Sequence, residues 1–259
     1  MTPAVLITGA SSGIGLELAR VFAAHGHALA LVARSADTLE GVARQLEARH
    51  GIRALAVVAD LSAPGAPDEV FARVRSAGLR VDILVNNAGS GLGGAFAATD
   101  LATELRMITL NVTALTHLTK LSLPGMLERG AGRILNVAST AAFAPGPFMA
   151  VYYATKAFVL SFSEALAEEL RGTGVTVTAL CPGATATGFQ SAARIEGARL
   201  FRLPWVSDAA TVARIGFSGL MRGKRIVIPG LLNKLLPPIV RVSPRRLVTL
   251  VSRFLQERS

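Results

Sequence analysis

Short, mostly apolar segments alternate along this chain with longer segments of helical periodicity. A strand that is apolar on both of its faces must be covered on both, as in a parallel sheet between two layers of helices. The alternation therefore predicts a doubly wound α/β domain with about seven strands, whose ligand lies beyond the carboxyl ends of the strands. The predicted strands are Ala4–Ile7, Ala28–Ala33, Arg53–Val58, Ile83–Val85, Arg133–Val137, Val175–Leu180 and Arg225–Ile228. The predicted helices run from the turn after the first strand to about Ala24, then over Ala36–Arg49, Glu69–Ala77, one or two segments within 99–128, and Val151–Arg171.

The net charge of +10 is concentrated at the carboxyl end of the chain. Residues 222–259 hold nine Lys or Arg and one acidic residue, Glu257, so they carry +8 and the first 221 residues carry +2. A nearly neutral body argues against a fold built to hold nucleic acid, and no nucleic-acid partner is expected. The single cysteine, Cys181, excludes an intramolecular disulfide and a multi-cysteine metal site, and the four histidines lack metal-ligand spacing, so no metal is predicted.

No apolar run in the sequence reaches the roughly 18–20 residues of a membrane-spanning helix. The first strand is short and has no basic region before it, which is unlike a signal peptide. We therefore expect a cytoplasmic protein.

The carboxyl end, residues 231–259, is expected to be a basic helical extension of a catalytic domain that covers residues 1–230. Ser243 and Pro244 are typical of a helix start. The basic residues that lie off the apolar face that follows are Arg245, Arg246, Arg253 and Arg258. Such a helix can bind peripherally to the inner face of an anionic membrane, or it can pack on its own subunit or a partner subunit. The apolar face consists of Leu247, Val248, Leu250, Val251, Phe254 and Leu255.

A glycine-rich segment, Thr8–Gly15, joins the first strand to the first helix with the spacing Gly-x-x-x-Gly-x-Gly. Glycines let the backbone turn sharply and let a phosphate approach closely. The N–H groups and the dipole of the helix that follows can then hold the phosphate. The segment predicts a dinucleotide-binding loop formed by Gly9, Ser11, Ser12, Gly13, Ile14 and Gly15.

The second strand ends at Arg34, where dinucleotide-binding folds usually place an acidic residue for the ribose 2′-hydroxyl. A guanidinium pairs well with a 2′-phosphate. The sequence therefore favours NADP(H) over NAD(H), and the alternative is a solvated surface arginine. Asp60 and Leu61 follow the third strand, where Asp60 can accept a hydrogen bond from adenine or can cap a helix.

Tyr152 and Lys156 are four residues apart on a predicted helix, so they share one face. A tyrosine titrates near 10, and a nearby ammonium would lower that pKa toward the range of a general acid or base. The pair alone is a weak pattern, because a surface pair has the same spacing.

The motifs in combination resemble the short-chain dehydrogenase/reductase family over roughly residues 3–190. The resemblance rests on the glycine-rich segment, Asn86–Gly89, Asn111, Ser139, the Tyr152/Lys156 pair and Pro182–Thr187 in this order. It implies a Rossmann-type fold and four catalytic residues. These are Tyr152 as the acid/base, Lys156 as the group that lowers the Tyr152 pKa and binds the nicotinamide ribose, Ser139 as a hydrogen-bond partner of the reacting oxygen, and Asn111 as the holder of a relay water.

The resemblance also implies a substrate lid over about 188–206 and a homodimer or homotetramer. The implied activity is NADP(H)-dependent interconversion of a ketone, such as a 3-oxoacyl group or another hydrophobic carbonyl, and a secondary alcohol. The alternative is a cofactor-sensing regulatory protein, or a membrane- or nucleic-acid-associated protein, that keeps the fold. Further implied cofactor contacts are Asn87, Ala88, Gly89, Pro182, Gly183, Thr185 and Thr187.

Overall fold

A seven-stranded parallel sheet forms the centre of the computed structural model, which describes residues 1–199 and 206–257. The strand order is β3-β2-β1-β4-β5-β6-β9, and each neighbouring pair is parallel. The chain thus starts in the middle of the sheet and winds outward in both directions, which opens a crevice at the carboxyl ends of β1 and β4. The strands are β1 (Thr2–Thr8), β2 (Ala28–Ala33), β3 (Ala54–Val58), β4 (Leu79–Asn86), β5 (Gly132–Val137), β6 (Val175–Leu180) and β9 (Ile226–Val227), and β7 (Thr185–Ala186) pairs with β8 (Ser207–Asp208) outside this sheet.

Helices cover both faces of the sheet, as the apolar strands require. In β1, Val5 and Ile7 point into one core with α1, α2 and α8, while Ala4 and Leu6 point into the opposite core with α3, α5 and α6. This confirms the predicted doubly wound fold. The helices are α1 (Gly13–Ala24), α2 (Ala36–His50), α3 (Ala66–Ser76), α4 (Leu101–Ile108), α5 (Leu115–Glu128), α6 (Ala150–Glu169), α7 (Phe189–Ala192), α8 (Ala209–Met221), α9 (Leu231–Val242) and α10 (Arg245–Gln256).

Two details differ from the helices that the sequence predicts. A π-helical segment, Thr109–Ala114, joins α4 to α5. Helix α9 contains Pro237 and Pro238, which sequence rules treat as helix breakers.

The last helix begins one residue later than predicted. Ser243 caps the end of α9, where its hydroxyl donates to the Ile239 carbonyl, and Pro244 is the residue that precedes α10. None of the helices in the described ranges is both long enough and apolar enough to cross a membrane.

Candidate active site

A cleft of about 720 Å³ lies at the carboxyl ends of the central strands. The predicted site residues converge there although they come from segments spread over most of the chain. Gly15 and Asn111 are the two that do not line it, and both lie behind its wall. The lining residues among those predicted are Gly9, Ser11, Ser12, Gly13, Ile14, Arg34, Asp60, Leu61, Asn87, Ala88, Gly89, Ser139, Tyr152, Lys156, Pro182, Gly183, Thr185 and Thr187.

The glycine-rich loop has a shape that only glycine permits. Gly9 has a φ of 67°, and a Cβ on it would lie 2.8 Å from the Asn87 side-chain nitrogen. A Cβ on Gly15 would overlap the Gly9 carbonyl oxygen. Helix α1 then begins after Ser12 without a side-chain cap and without an acidic residue in its first turn. The first N–H groups of α1 therefore remain available to an anion, and the loop fits the pyrophosphate of a dinucleotide.

Asn87 fixes this loop against the end of β4. Its side-chain nitrogen donates to the carbonyl oxygens of Thr8 at 2.8 Å and Gly9 at 3.2 Å. The Thr8 hydroxyl in turn accepts from the backbone N–H groups of Asn87 and Ala88. These bonds join the two strands at the crevice and hold the loop in its shape.

Arg34 lies exposed at the end of β2 and lines the cleft. No carboxylate of the described residues forms a salt bridge with it, so its guanidinium is available to a phosphate. The nearby Asp60 binds its own turn, since one carboxylate oxygen accepts from the N–H and the hydroxyl of Ser62. These bonds, with a smaller contribution from Arg34, hold the pKa of Asp60 below its usual value. Arg106 also lines the cleft on this side, and no sequence motif pointed to it.

Tyr152 lies at the other end of the cleft, near the first turn of α6. Burial raises the pKa of its hydroxyl above the ordinary value, and the hydrogen bond with Ser139 lowers it by less. The sequence predicted a lowered pKa, but in the structure the effect of burial is the larger one. The Lys156 ammonium lies 5.8 Å from the centre of the Tyr152 ring and donates its hydrogen bond to the Val137 carbonyl. Tyr152 is therefore protonated at neutral pH and is suited to donate a proton.

Lys156 is almost fully buried beneath Tyr152, with 6% of its surface exposed. Its Nζ donates to the Val137 carbonyl oxygen at 2.8 Å. Burial lowers the pKa of Lys156 to about 8. The site therefore holds an ammonium whose charge is easily lost near neutral pH.

Asn111 lies inside the π-helical segment and is 2% exposed. Its carboxamide accepts from the Ser90 N–H at 2.9 Å and donates to the Ser90 carbonyl and the Thr155 hydroxyl, each at 3.0 Å. The side chain thus joins the loop after β4 to α6, one residue before Lys156. This linking role was not part of the sequence prediction.

The segment Pro182–Thr187 forms the wall opposite the glycine-rich loop. A Cβ on Gly13 would lie 3.3 Å from the Thr187 methyl, so the two segments approach each other closely at this point of the cleft. The Thr187 hydroxyl accepts from the Phe189 N–H, and the Thr185 hydroxyl donates to the Gly183 carbonyl.

Apolar side chains surround the part of the cleft next to Tyr152. The Phe189 ring lies 5.3 Å from the Tyr152 ring, and Met149 and Ile195 complete a small cluster. Phe189 and Ile195 belong to the predicted lid over about 188–206, of which residues 200–205 lie outside the described residues. Gln256 closes this end, and its side-chain nitrogen donates to the Tyr153 hydroxyl at 2.6 Å. Sequence reasoning missed Gln256 because nothing local indicates that the last helix returns to the site.

The other candidate reactive groups are structural. Cys181 is fully buried, and burial raises the pKa of its thiol to about 12. Within the described ranges, no group of His, Cys, Asp and Glu side chains could hold a metal ion.

The sequence model for short chain dehydrogenases matches residues 3–197. The chain is 35% identical to ketoacyl reductase HetN of Nostoc over 197 residues, which are 76% of this chain and 68% of that protein. It is 36% identical to the very-long-chain 3-oxoacyl-CoA reductase of Anas platyrhynchos over 70% of this chain, but it spans only 59% of that longer protein. The structure of a short-chain dehydrogenase from Sphingobium yanoikuyae in complex with NADPH superimposes with a TM-score of 0.82 and 37% identity, covering 94% of this chain and 97% of that one. Fold, cleft and relatives agree, and the chain belongs to the short-chain dehydrogenase family of oxidoreductases.

Proposed function

We propose that this protein reduces a hydrophobic ketone to a secondary alcohol with NADPH, and catalyses the reverse oxidation with NADP⁺. The observation that carries the proposal is one continuous cleft with two chemically different ends. One end has the glycine-rich loop and Arg34, and the other has Tyr152, Ser139 and Lys156 among apolar side chains. The first end suits a phosphorylated dinucleotide, and the second suits proton transfer to an oxygen.

The first end would hold the cofactor through the loop amides and the wall that faces them. The N–H groups after Gly9 and at the start of α1 would bind the pyrophosphate, and Arg34 would bind the 2′-phosphate. Pro182, Thr185 and Thr187 would border the nicotinamide. When bound, the cofactor supplies or accepts the hydride.

Tyr152 would donate its proton to the carbonyl oxygen during reduction and remove it during oxidation. Ser139 would hydrogen-bond the same oxygen, because its hydroxyl already contacts the Tyr152 hydroxyl. The Lys156 ammonium lies on the same helix face and would stabilise the phenolate that proton transfer leaves behind. Asn111 would hold the loop after β4 and α6 together, so that Lys156 keeps its place, in addition to binding a relay water.

The substrate class follows from the walls beside Tyr152. Met149, Phe189 and Ile195 offer an apolar surface to the groups that flank a carbonyl. Two relatives are named for reduction of ketoacyl or 3-oxoacyl groups, which supports a 3-oxoacyl compound or a similar hydrophobic ketone. An acyl group bound to an anionic carrier would need a basic contact near the lid. Arg199 lies in this segment, but it is already paired with Glu257 at 3.6 Å.

We also infer a homo-oligomer that forms through α4 and α6. Leu105 on α4 and Phe158 on α6 are large apolar side chains that are 54% and 40% exposed. Burial of such side chains between two copies would remove this surface from water.

The test is a turnover screen of ketones, 3-oxoacyl thioesters and secondary alcohols with both nicotinamide cofactors, on the wild-type protein and Tyr152→Phe. We expect Tyr152→Phe to lower kcat by at least about a hundredfold, since general acid–base catalysis contributes about that much or more. Binding of NADPH, followed by its fluorescence, should survive because the phosphate loop is unchanged.

Tyr153→Phe is the matched control, because it removes the hydroxyl of the adjacent tyrosine. That hydroxyl is bonded to Gln256 and not to Ser139, so turnover should remain measurable. Retention of most activity by Tyr152→Phe would show that another group transfers the proton.

A further inference from the structure

The last two helices each carry a row of large apolar side chains that faces away from the protein. On α9 these are Leu231, Leu235, Ile239 and Val242, with exposures from 54% to 84%. They recur at the spacing of one helix face. The corresponding residues on α10 are Leu247, Leu250, Val251 and Phe254, with exposures from 51% to 63%. These eight residues are called the tail face below.

The tail face is not the surface by which these helices pack on the protein. Helix α10 packs through Val248 and Gln256, which are 9% and 8% exposed. Helix α9 packs near the cleft, where the Asn233 side chain lies against Gly183. The rest of the protein therefore contacts the inner sides of both helices, although no residue of α9 is fully buried. Apart from the Arg199 guanidinium, which lies over the Phe254 ring, the outer, apolar sides stay exposed.

The charged residues within the two helices of the tail face are all basic. No Asp or Glu occurs between residues 222 and 256. Lys234, Arg241, Arg245 and Arg246 are exposed, and no carboxylate in the described part of the chain pairs with them. Arg253 is different, since it pairs with Glu257 at 3.1 Å.

We propose that α9 and α10 bind the tail face to the surface of an anionic lipid membrane. Apolar side chains on such a helix enter the boundary between headgroups and acyl chains, while Lys and Arg beside them contact anionic headgroups. A second copy of the chain is disfavoured as the occupant, because it would bring two segments of charge +8 together. Nucleic acid would satisfy the charge but would leave the apolar residues exposed.

This attachment has a geometric consequence for the cleft. Gln256 is at the end of α10 and closes the substrate end of the cleft. A membrane bound by the outer side of α10 therefore lies close to the place where a hydrophobic substrate must enter. The binding itself does not depend on the proposed reaction.

The test is co-sedimentation of the full chain with vesicles of phosphatidylcholine alone and with vesicles that also contain phosphatidylglycerol. We expect binding to be at least about tenfold tighter to the anionic vesicles and to weaken as salt is raised. The double variant Leu235→Glu/Leu250→Glu should lose at least about tenfold in affinity, since it places charge on the apolar row of each helix. Both positions are exposed, and circular dichroism and thermal melting would check that the variant folds.

Leu127→Glu is the matched control, because Leu127 is an exposed leucine on α5, 42% exposed and outside the tail face. It should bind the anionic vesicles as the wild type does. Equal binding to both kinds of vesicle, or unchanged binding by the double variant, would overturn the proposal. The proposal would also be overturned if the protein bound no vesicles and light scattering showed a dimer that Leu235→Glu/Leu250→Glu dissociates. The occupant of the tail face would then be a second copy of the chain.

Discussion

The chemistry of single residues in this protein depends on burial as much as on neighbours in sequence. The spacing of Tyr152 and Lys156 predicted that they share a helix face, and both side chains line the cleft. The spacing did not predict that burial would raise the pKa of Tyr152 and lower that of Lys156. Burial of both side chains depends on segments that are distant in sequence. Their hydrogen-bond partners, Ser139 and the Val137 carbonyl, are distant as well, so no local pattern predicts either pKa shift.

The lowered pKa of Lys156 predicts a pH dependence of folding stability. The folded pKa is about 8 and the ordinary value is 10.5, so between these values the unfolded chain binds a proton that the folded chain does not. Stability therefore rises with pH across this window, and the penalty of burying the charge is fully present only below it. Lys156→Met removes this contribution.

Urea unfolding would measure the contribution of Lys156 to stability. The cofactor-free wild type and Lys156→Met would be compared at several pH values between the two pKa values, about 8 and 10.5. As the pH rises, the free energy of unfolding of the wild type should increase relative to that of Lys156→Met. Lys120→Met, at an exposed lysine on α5, serves as the control and should run parallel to the wild type. A constant gap between wild type and Lys156→Met would contradict the prediction.

At the scale of elements, local periodicity was enough for most of the fold. The strand Val175–Leu180 and the helix that carries Lys156 were predicted within one or two residues of their observed bounds. The π-helical segment was missed because one extra residue in a turn leaves the apolar pattern almost unchanged. Helix α9 lies within the helical extension predicted for residues 231–259, but its bounds were not predicted, because Pro237 and Pro238 argue locally for a break.

The π-helical segment predicts the effect of a one-residue deletion. Thr113 is exposed within this segment, and its removal would let α4 and α5 join as a regular α-helix. The protein should still fold, because the regular hydrogen bonds replace the π-helical ones. Turnover should fall by at least about tenfold, because Asn111 would lose its alignment with Ser90 and Thr155, and misplacement by about 1 Å is costly in an active site.

Steady-state kinetics and a thermal melt of the deletion variant would check both parts of this prediction. Thr113→Ala alters the same side chain without a change of register and should stay active. A deletion variant as active as Thr113→Ala would mean that the π-helical geometry is not needed.

At the scale of the whole molecule, the cleft joins segments that are distant in sequence. Motifs predicted the contribution of Thr8–Gly15 and of Pro182–Thr187, because each has its own local pattern. Arg106 and Gln256 have no such pattern and enter the cleft only through the packing of their helices. Such residues could not be found without the tertiary structure.

A cofactor that bridges the two walls of the cleft should stabilise the whole protein against heat. At a concentration about 100 times its Kd, a ligand adds about 2.7 kcal/mol. For a chain of this size that corresponds to a rise in Tm of about 5–10 °C. We expect NADPH to raise the Tm more than NADH at the same concentration, because only NADPH has the 2′-phosphate that Arg34 would bind.

Differential scanning fluorimetry of wild type and Arg34→Ala would measure this preference. Loss of this charge-assisted contact in Arg34→Ala should weaken NADPH binding by about 10- to 100-fold. NADPH and NADH should then raise the Tm of the variant by similar amounts. Arg49→Ala, at an exposed arginine of α2 outside the cleft, should behave as the wild type. A larger shift with NADH than with NADPH would refute the assignment of Arg34.

The contact between Gln256 and Tyr153 bears on how the protein is produced. An affinity tag or fluorescent protein joined at Ser259 would begin three residues after Gln256, and its motion would act on the contact that shapes the substrate end of the cleft. A tag placed before Thr2 would extend from the start of β1, at the amino ends of the strands and therefore on the side of the sheet opposite the cleft. We therefore expect the two tagged forms to give different kinetic constants, with the substrate range of the enzyme unchanged by the amino-terminal tag.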